Sequence, residues 1–268
     1  MKLKKINYLV LFIASLFCLG SCKNNEKTLT GFDIDLAKEV FKTLDIDVKF
    51  EEIVWEQKEI ELNSKNIDLI WNGLTITSDR QEVFELSNPY MENKQVIVSK
   101  NYDNFSKENA YTISFEAGSA GNDLFNENNS FKKCSSVELS SQIDALTEVL
   151  SGTCDFAIID SSMAGYYINS TTSFKNLKII DFESENEFYG VAARKGEISL
   201  IDKINEILNE LYNNGVMKQI AKSYGLENYL VNSKYEKSNS SDDSLKNILN
   251  KGYITIGYTL YAPIAYMK

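Results

Sequence analysis

An α/β architecture divided into two lobes is the fold that the sequence predicts, on three observations. Short apolar runs typical of buried parallel strands alternate with segments of helical periodicity, and this alternation fills two successive blocks of the chain. The length of 268 residues suits one large domain or two medium ones. Hydrophobic residues make up 43% and charged residues 25%, the proportions of a globular protein with a sizeable core.

The first block runs from residue 31 to residue 99. Its opening helix has the apolar side chains of Leu36, Val40 and Phe41 on one stripe, and Pro89 excludes a helix near the end of the block. The predicted elements are a helix over 31–44, a strand over 48–53, a helix over 56–65, a strand over 67–71 and an extended stretch over 88–99.

The second block alternates in the same way. Strands are predicted over 111–115, 135–139, 155–160, 177–181 and 188–194, and helices over 119–128, 141–151, 161–168, 199–213 and 215–223. Residues 232–243 are polar and contain no aliphatic side chain, which predicts a flexible linker. A helix over 244–250 and a strand over 253–258 follow. A single strand there is stable only if it joins a sheet formed upstream.

Charge and residue types exclude several classes of function. A formal net charge of −10 argues against a protein that binds nucleic acid. The chain contains no histidine, which excludes histidine-dependent nucleophiles and histidine-ligated metals, and no metal or other cofactor is expected. Arg80 and Arg194 are the only arginines beside 26 lysines, so each raises the question of what requires a planar guanidinium.

The N-terminus has the pattern of an export signal. Basic residues precede an apolar run from Tyr8 to Leu19, and a helix of that length, roughly 18 Å, is too short to span a membrane. The sequence Leu19-Gly20-Ser21-Cys22 resembles the lipobox of bacterial lipoproteins, which predicts cleavage after residue 21 and a lipid on Cys22. An ordinary signal peptide is the alternative. We therefore expect an extracytoplasmic, membrane-anchored protein, in the periplasm or on the outer face of the cell membrane.

Seven stretches of the chain together carry a resemblance to a known family. They are GFDIDLAKEV (31–40), VWEQKEIELNSKNIDLIWNGLTITSDR (54–80), SNPYMENKQVIV (87–98), EAGSAG (116–121), CDFAIID (154–160), YGVAARKG (189–196) and SLKNILNKGYITIGYTLYAPIAY (244–266). They resemble bacterial extracellular solute-binding proteins of family 3, which bind polar amino acids. The resemblance implies the type II periplasmic-binding-protein fold, with a ligand cleft between two lobes. Two extended crossings, near 90–98 and 184–192, are expected to join the lobes.

The order of these stretches departs from the family, in which the last one comes first. The chain therefore resembles a circular permutation, with new ends between Lys268 and Gly31 and with the original termini joined through linker 232–243. A tandem repeat and a truncated gene are the alternatives. The predicted division is a signal peptide (1–21), a tether (22–30), lobe 1 (31–92 and 190–268) and lobe 2 (93–189). A monomer and a dimer that exchanges residues 244–268 both stay open.

The resemblance also implies which residues hold the two charged groups of a free amino acid. Arg80 matches the arginine that clamps the carboxylate, with Thr75 and Gly73 on the turn before it and with Ser119 and Ala120 at a helix N-terminus that adds N–H donors. Asp160 matches the aspartate that receives the ammonium. The residues alone leave an alternative for each assignment. Arg80 is then a surface arginine, residues 118–121 are a plain strand-to-helix turn, and Asp160 is a helix N-cap.

Aromatic residues are expected around the ligand's side chain. Trp55 and Tyr261 match family positions that flank it, and Asn72 is within reach of it. Trp71 and Arg194 are expected to be structural. The segment before Tyr261 is one residue shorter than usual and lacks an acidic residue found in many members, so the resemblance implies no selectivity for lysine or arginine.

The implied function is capture of a polar amino acid and its delivery to an ABC permease, without catalysis. Two other classes stay open. One is an enzyme on the same scaffold, such as a dehydratase of cyclic acids, in which Glu116 and Asp160 act as acid or base. The other is a lipoprotein that senses a ligand and signals to a membrane protein.

Cys134 and Cys154 are candidates for a disulfide in an exported protein. If lobe 2 has the usual strand order, strand 111–115 lies between the strands that follow these residues. The separation is then about 10 Å, which is too far for a disulfide without a shift at the strand ends.

Overall fold

A computed structural model describes residues 27–180 and 182–268. The predicted signal peptide (1–21) and the predicted lipid attachment at Cys22 lie outside the described residues. Among the helices that the described residues form, none combines the length and the apolar composition required to cross a membrane.

The described elements follow the predicted alternation. The helices are α1 (Phe32–Lys42), α2 (Lys58–Asn63), α3 (Ser78–Val83), α4 (Ala120–Glu127), α5 (Gln142–Ser151), α6 (Ser161–Ser170), α7 (Ile198–Asn213), α8 (Val216–Lys222) and α9 (Ser244–Lys251). The strands are β1 (Leu29–Thr30), β2 (Asp47–Glu52), β3 (Leu69–Thr75), β4 (Phe84–Leu86), β5 (Met91–Ser99), β6 (Thr112–Glu116), β7 (Ser135–Leu139), β8 (Phe156–Asp160), β9 (Lys178–Ile180), β10 (Asn186–Arg194), β11 (Tyr253–Tyr258) and β12 (Tyr266–Met267).

One ten-stranded sheet runs through both lobes, and two long strands join its lobe 1 part to its lobe 2 part. The order in lobe 1 is β2-β11-β3-β10, and the order in lobe 2 is β5-β8-β6-β7. Strands β5 and β10 pair antiparallel over 91–94 and 186–189, and each then continues into the part of the sheet in its own lobe. The predicted fold of two α/β lobes joined by extended crossings is therefore confirmed.

The last long strand of the chain lies in the middle of the lobe 1 sheet. Strand β11 pairs in parallel with β2 over six residues and with β3 at Ile256 and Gly257. Strand β12 pairs antiparallel with β1. The backbone N–H groups of Thr28 and Lys268 each donate to the other's carbonyl at 3.0 Å. The prediction that strand 253–258 joins a sheet formed upstream is therefore confirmed.

Residues 232–243 form neither a helix nor a strand and lie along α7. Asp202 on α7 accepts a hydrogen bond from the N–H of Ser238 at 2.8 Å. Asp242 accepts one from the N–H of Ser199 at 2.8 Å. These bonds fix the path by which the chain reaches α9.

Two parts of lobe 1 differ from the prediction. The strand predicted over 67–71 begins at Leu69 and continues to Thr75, and every residue in it is buried. The polar residues Asn72 and Thr75 made its end appear to be a loop, although both residues are buried. Elements α3 and β4 were not predicted, because six-residue and three-residue elements carry too little periodicity.

Both cysteines within the described residues are free thiols. Strand β6 lies between β7 and β8. Cys134 comes just before β7, and Cys154 comes just before β8. The predicted strand order, which argued against a disulfide, is therefore confirmed.

The two residues predicted to be structural lie in lobe 1, Trp71 in the core and Arg194 partly buried. Trp71 is fully buried in the main core cluster. The Arg194 guanidinium donates to the carbonyls of Leu62 and Ile67 at 3.0 and 2.8 Å and forms an ion pair with Glu197 at 2.8 Å. Arg194 thus fastens the end of α2 and the start of β3 to β10, and its structural role is confirmed.

Candidate functional site

A cavity lies between the lobes, where β3, β6 and β8 end. The empty space in it, including the part open to solvent, is about 300 Å³. All nine residues that were predicted to bind a ligand line it, namely Trp55, Asn72, Gly73, Thr75, Arg80, Ser119, Ala120, Asp160 and Tyr261. Glu116, Gln142 and Thr259 complete the lining. The structure brings the predicted residues together, and their contact with a ligand stays a prediction.

Arg80 reaches the cavity from lobe 1. It lies in α3, which begins directly after β3, and the Thr77 hydroxyl caps this helix by accepting from the Arg80 N–H at 3.2 Å. Guanidinium Nη1 donates to the Thr75 carbonyl at 2.9 Å, and Nη2 donates across the cleft to the Gly118 carbonyl and Asp123 at 3.4 and 3.3 Å. Burial lowers the pKa of Arg80, and nearby Asp123 opposes that shift.

Asp160 reaches the cavity from lobe 2. It ends β8, and its side chain is buried. Oxygen Oδ1 accepts hydrogen bonds from the side-chain amides of Asn93 and Gln95 at 2.5 and 2.8 Å, and Oδ2 accepts one from Gln142. Because Asn93 and Gln95 lie on crossing strand β5, the connection between the lobes itself fixes this carboxylate. Sequence reasoning missed both amides, which the extended pattern of 88–99 did not distinguish from surface polar residues.

The two lobes touch directly around the cavity. The Tyr261 hydroxyl of lobe 1 is 2.7 Å from the Ser162 hydroxyl of lobe 2 and 2.7 Å from the Tyr189 hydroxyl. The Lys58 ammonium of lobe 1 donates to the Gly118 carbonyl of lobe 2 at 2.9 Å. These contacts define a closed arrangement of the lobes.

Two further carboxylates lie beside Asp160. Glu116 ends β6 and lines the cavity, and burial, together with the charge of Asp160, raises its pKa to about 8. Glu187 on β10 accepts from the Gln95 amide at 3.0 Å, and burial raises its pKa to about 7. Sequence analysis assigned Glu116 only an acid–base role in the enzyme alternative, and it missed Glu187, which lies in a polar run without a periodic signal.

Asp33 supports the wall of the cavity from inside lobe 1. Its Oδ2 accepts hydrogen bonds from the Gly73 N–H at 2.7 Å and from the Tyr90 hydroxyl at 2.8 Å. Burial raises its pKa to about 7. Asp33 therefore fixes the backbone of β3 at the cavity without lining the cavity itself.

Two α/β lobes that close on a small polar cavity, with a guanidinium from one and a carboxylate from the other, define a two-lobed solute-binding protein of type II. The chain belongs to the bacterial extracellular solute-binding proteins, family 3, whose sequence profile matches residues 20–227.

Relatives and solved structures of this class cover most of the chain. The L-cystine-binding protein TcyA of Bacillus subtilis is 29% identical over 204 residues, which are 75% of this chain and 74% of TcyA. A substrate-binding protein of an ABC uptake transporter from Streptococcus pneumoniae, with bound histidine, has a TM-score of 0.67 at 32% identity and matches 72% of this chain and 82% of its own. Tv2483 bound to L-arginine has a TM-score of 0.71 at 27% identity, over 79% of this chain and 88% of its own.

Proposed function

We propose that the protein captures a free amino acid outside the cytoplasm and delivers it to an ABC transporter. One observation carries the proposal: Arg80 of lobe 1 and Asp160 of lobe 2 line the same closed cavity. The named ligands of the relatives, which are cystine, histidine and arginine, support the same class of ligand.

The chemistry of the cavity suits a dipolar ligand. Burying a carboxylate and an ammonium is costly unless each is paired and hydrogen-bonded. Arg80 offers a guanidinium for the carboxylate, and the first N–H groups of α4, after the Ser119 cap, have no partner within the helix. Asp160 pairs with the ammonium. Because the two charges belong to different lobes, a single ligand satisfies both only when the lobes are closed, and its binding shifts the population toward that state.

Titration calorimetry against the twenty amino acids and cystine tests this function. We expect Arg80→Ala and Asp160→Asn each to lower the affinity for the best ligand at least tenfold, because each leaves a buried ligand charge unpaired. Asp79→Asn is the matched control, since Asp79 is an exposed neighbour of Arg80 outside the cavity lining, and it keeps the affinity of the unchanged protein. Unchanged affinity in Arg80→Ala contradicts the proposal.

Export and anchoring complete the proposed role. Cleavage after residue 21 and a lipid on Cys22 hold the protein close to its transporter, although a single acyl chain anchors a protein only marginally. Mass spectrometry of the N-terminus from membrane fractions is expected to find acylated Cys22. The Cys22→Ala variant is expected to be released into the medium or periplasm. If that variant stays in the membrane fraction, the proposed lipid anchor is contradicted.

We also propose that the chain is a circular permutation, with lobe 1 formed by 31–92 and 190–268 and lobe 2 by 93–189. The family match ends at residue 227, before the segment that supplies β11. The hydrogen-bonded pair of Thr28 and Lys268 supports the proposal, because it places segment 244–268 beside the start of segment 31–92, as the family order requires.

A gene that restores the family order tests the permutation. It encodes residues 244–268, a short glycine-containing turn and then residues 28–231. We expect the same circular dichroism spectrum, the same ligand affinity and a monomer on gel filtration. Failure of this rearranged chain to fold contradicts the proposal. If the unchanged protein forms a dimer and the rearranged chain does not, the dimer exchanges residues 244–268 between copies.

A further inference from the structure

Glu187 is a carboxyl group at the hinge, the paired stretches of the crossing strands β5 and β10, and the proposed function does not use it. It lies on β10 directly opposite Asn93 of β5, and it is half-buried. Its Oε2 accepts hydrogen bonds from the Thr75 hydroxyl of lobe 1 at 3.3 Å and from the amides of Asn93 and Gln95 at 3.3 and 3.0 Å. Glu187 therefore joins the end of β3 in lobe 1 to the hinge.

The same two amide nitrogens also bond Asp160 of lobe 2. Nδ2 of Asn93 and Nε2 of Gln95 donate to Oδ1 of Asp160 at 2.5 and 2.8 Å. A primary amide nitrogen carries two hydrogens, so each amide gives one hydrogen to Asp160 and the other to Glu187. Because the amide group is planar, the direction of one N–H bond fixes the direction of the other. Glu187 therefore fixes how both amides face Asp160.

Two charged side chains from neighbouring elements act on Glu187. Burial and, after it, the charge of Asp160 on β8 raise the pKa of Glu187 to about 7. Glu187 in turn opposes the lowering of the Arg80 pKa by burial, although less than Asp123 does. The other groups that contact Glu187, from β3 and β5, are uncharged. The ion pairs formed by the described residues include neither Asp160 nor Glu187.

A ligand ammonium supplies the positive charge that this carboxyl pair lacks. Asp160 and Glu187 bond the same nitrogens, so the two bonded oxygens are no further apart than two hydrogen bonds placed end to end. Two carboxylates at such a separation repel each other, and a cation beside one of them favours the ionised form of both. An amino acid with its ammonium at Asp160 therefore shifts Glu187 toward its charged form.

We propose that Glu187 is a positioning residue of the amino acid site, which in its ionised form holds the Asn93 and Gln95 amides toward Asp160 and makes ligand binding depend on pH. This inference rests on the proposed amino acid-binding function. At pH 5, below the pKa of about 7, Glu187 of the ligand-free protein is protonated. Ligand binding then releases its proton, so acid opposes binding and the affinity increases as the pH rises toward 8.

Titration calorimetry of Glu187→Gln between pH 5 and pH 8 tests the proposal. The probe is whichever of the twenty amino acids and cystine binds the unchanged protein most tightly. We expect the variant to bind it at least about tenfold more weakly than the unchanged protein at pH 8, but less than about threefold more weakly at pH 5. The ratio of the two affinities at each pH is the measured quantity, because Glu116 and the probe itself titrate equally in both experiments. A ratio that is the same at every pH indicates a merely structural role and contradicts the proposal.

Glu187→Asp tests the contact with the amides separately from the charge. The aspartate side chain is one methylene shorter, so its carboxylate keeps the charge at the hinge but is withdrawn from the nitrogens of Asn93 and Gln95. We expect its affinity at pH 8 to lie within about threefold of that of Glu187→Gln. If Glu187→Asp keeps the affinity of the unchanged protein, a charge at the hinge is sufficient and positioning through the amides is contradicted.

Glu185→Gln is the matched control for net charge. Glu185 is exposed, lies two residues before Glu187 and is absent from the cavity lining, so this variant makes the same change in charge without changing the amide contacts. It is expected to keep the affinity of the unchanged protein at every pH. Equal effects of Glu185→Gln and Glu187→Gln indicate a long-range effect of charge and contradict the assigned role.

The outcomes separate this inference from the function on which it depends. If an amino acid binds the unchanged protein and the affinity ratio does not change with pH, amino acid binding stands and the role of Glu187 fails. If neither an amino acid nor cystine binds the unchanged protein, the proposed function fails, and this inference fails with it.

Discussion

The two lobes have similar architecture but are assembled differently from the chain. Lobe 2 is continuous, and its strands β6, β7 and β8 follow one another along the sequence. Lobe 1 takes its central strand β11 from the far end of the chain and inserts it between β2 and β3. Lobe 1 therefore depends on contacts between residues about 200 positions apart, and closing such a long loop is entropically costly.

The difference extends to the cavity. Lobe 2 contributes Glu116, Ser119 and Asp160 from strand ends and a helix start that are local in the sequence. Lobe 1 contributes Arg80 from its first part and Tyr261 from its last part. The cavity is therefore complete only when the C-terminal segment is docked, which couples folding of lobe 1 to ligand binding.

Deletion of residues 244–268 is expected to cause the largest difference in stability between the two lobes. Without β11, strands β2 and β3 are no longer joined, and buried residues such as Ile254 and Ile256 are lost from the lobe 1 core. We expect lobe 1 to lose cooperative unfolding while lobe 2 keeps a broadened transition at lower temperature. Differential scanning calorimetry and limited proteolysis measure this. A sharp, unchanged transition shows that lobe 1 is stable without the C-terminal segment and contradicts the proposed assembly.

Two glycine substitutions sharpen the comparison. Gly31, at the start of α1, has φ +140°, and a Cβ there lies 2.2 Å from the Ile264 carbonyl oxygen of the C-terminal segment. Gly152, at the end of α5 in lobe 2, has φ +89° and no atom within 4 Å of an added Cβ. In urea titrations we expect Gly31→Ala to reduce the free energy of unfolding by about 3 kcal/mol, from strain and displaced backbone together.

Gly152→Ala is the control for the backbone conformation alone. It is expected to reduce the free energy of unfolding by about 1 kcal/mol, which is the cost of a left-handed alanine. Equal effects of the two substitutions mean that the contact between Gly31 and the C-terminal segment contributes nothing to lobe 1.

Much of this arrangement was predictable from the sequence, for reasons that particular elements make clear. Strand β11 was predicted with its correct bounds because its apolar residues alternate between two turn-forming segments. Arg80 and Asp160 were predicted as a pair from the resemblance to the family, and each lies next to the end of a buried strand, where α/β clefts bind ligands. Both residues line a single cavity, and their roles in binding a ligand stay predictions.

The remaining parts depend on contacts that a sequence does not display. Glu187 and Gln95 meet only because two crossing strands, about 90 residues apart in the chain, pair at the hinge. Glu116 was visible at the end of a predicted strand, but its place in the cavity lining depends on how β6 pairs with β8. Asp33 lies in the first turn of α1, where acidic residues are common, and its position in the sequence does not reveal its contact with the Gly73 N–H.

The dependence of stability on pH gives the smallest expected effect. It compares a buried carboxyl group in lobe 1 with one in lobe 2. Burial raises the pKa of Asp33 in lobe 1 to about 7 and that of Glu116 in lobe 2 to about 8. Their unfolded values are close to 4, so the folded protein binds more protons than the unfolded chain between about pH 4 and pH 8. The destabilisation by these two groups is therefore smallest below about pH 4, and stability without ligand decreases as the pH rises from there through 7 and 8.

Substitution of one carboxyl group at a time distinguishes these contributions. In urea titrations at pH 5 and pH 8 without ligand, we expect the unchanged protein to lose at least about 1.4 kcal/mol of stability at the higher pH, the value of one pKa unit for one group. Glu116→Gln is expected to reduce that loss, because an amide does not titrate. A loss that Glu116→Gln leaves unchanged assigns the pH response to the other buried carboxyl groups, Asp33 and Glu187, and contradicts the contribution of Glu116.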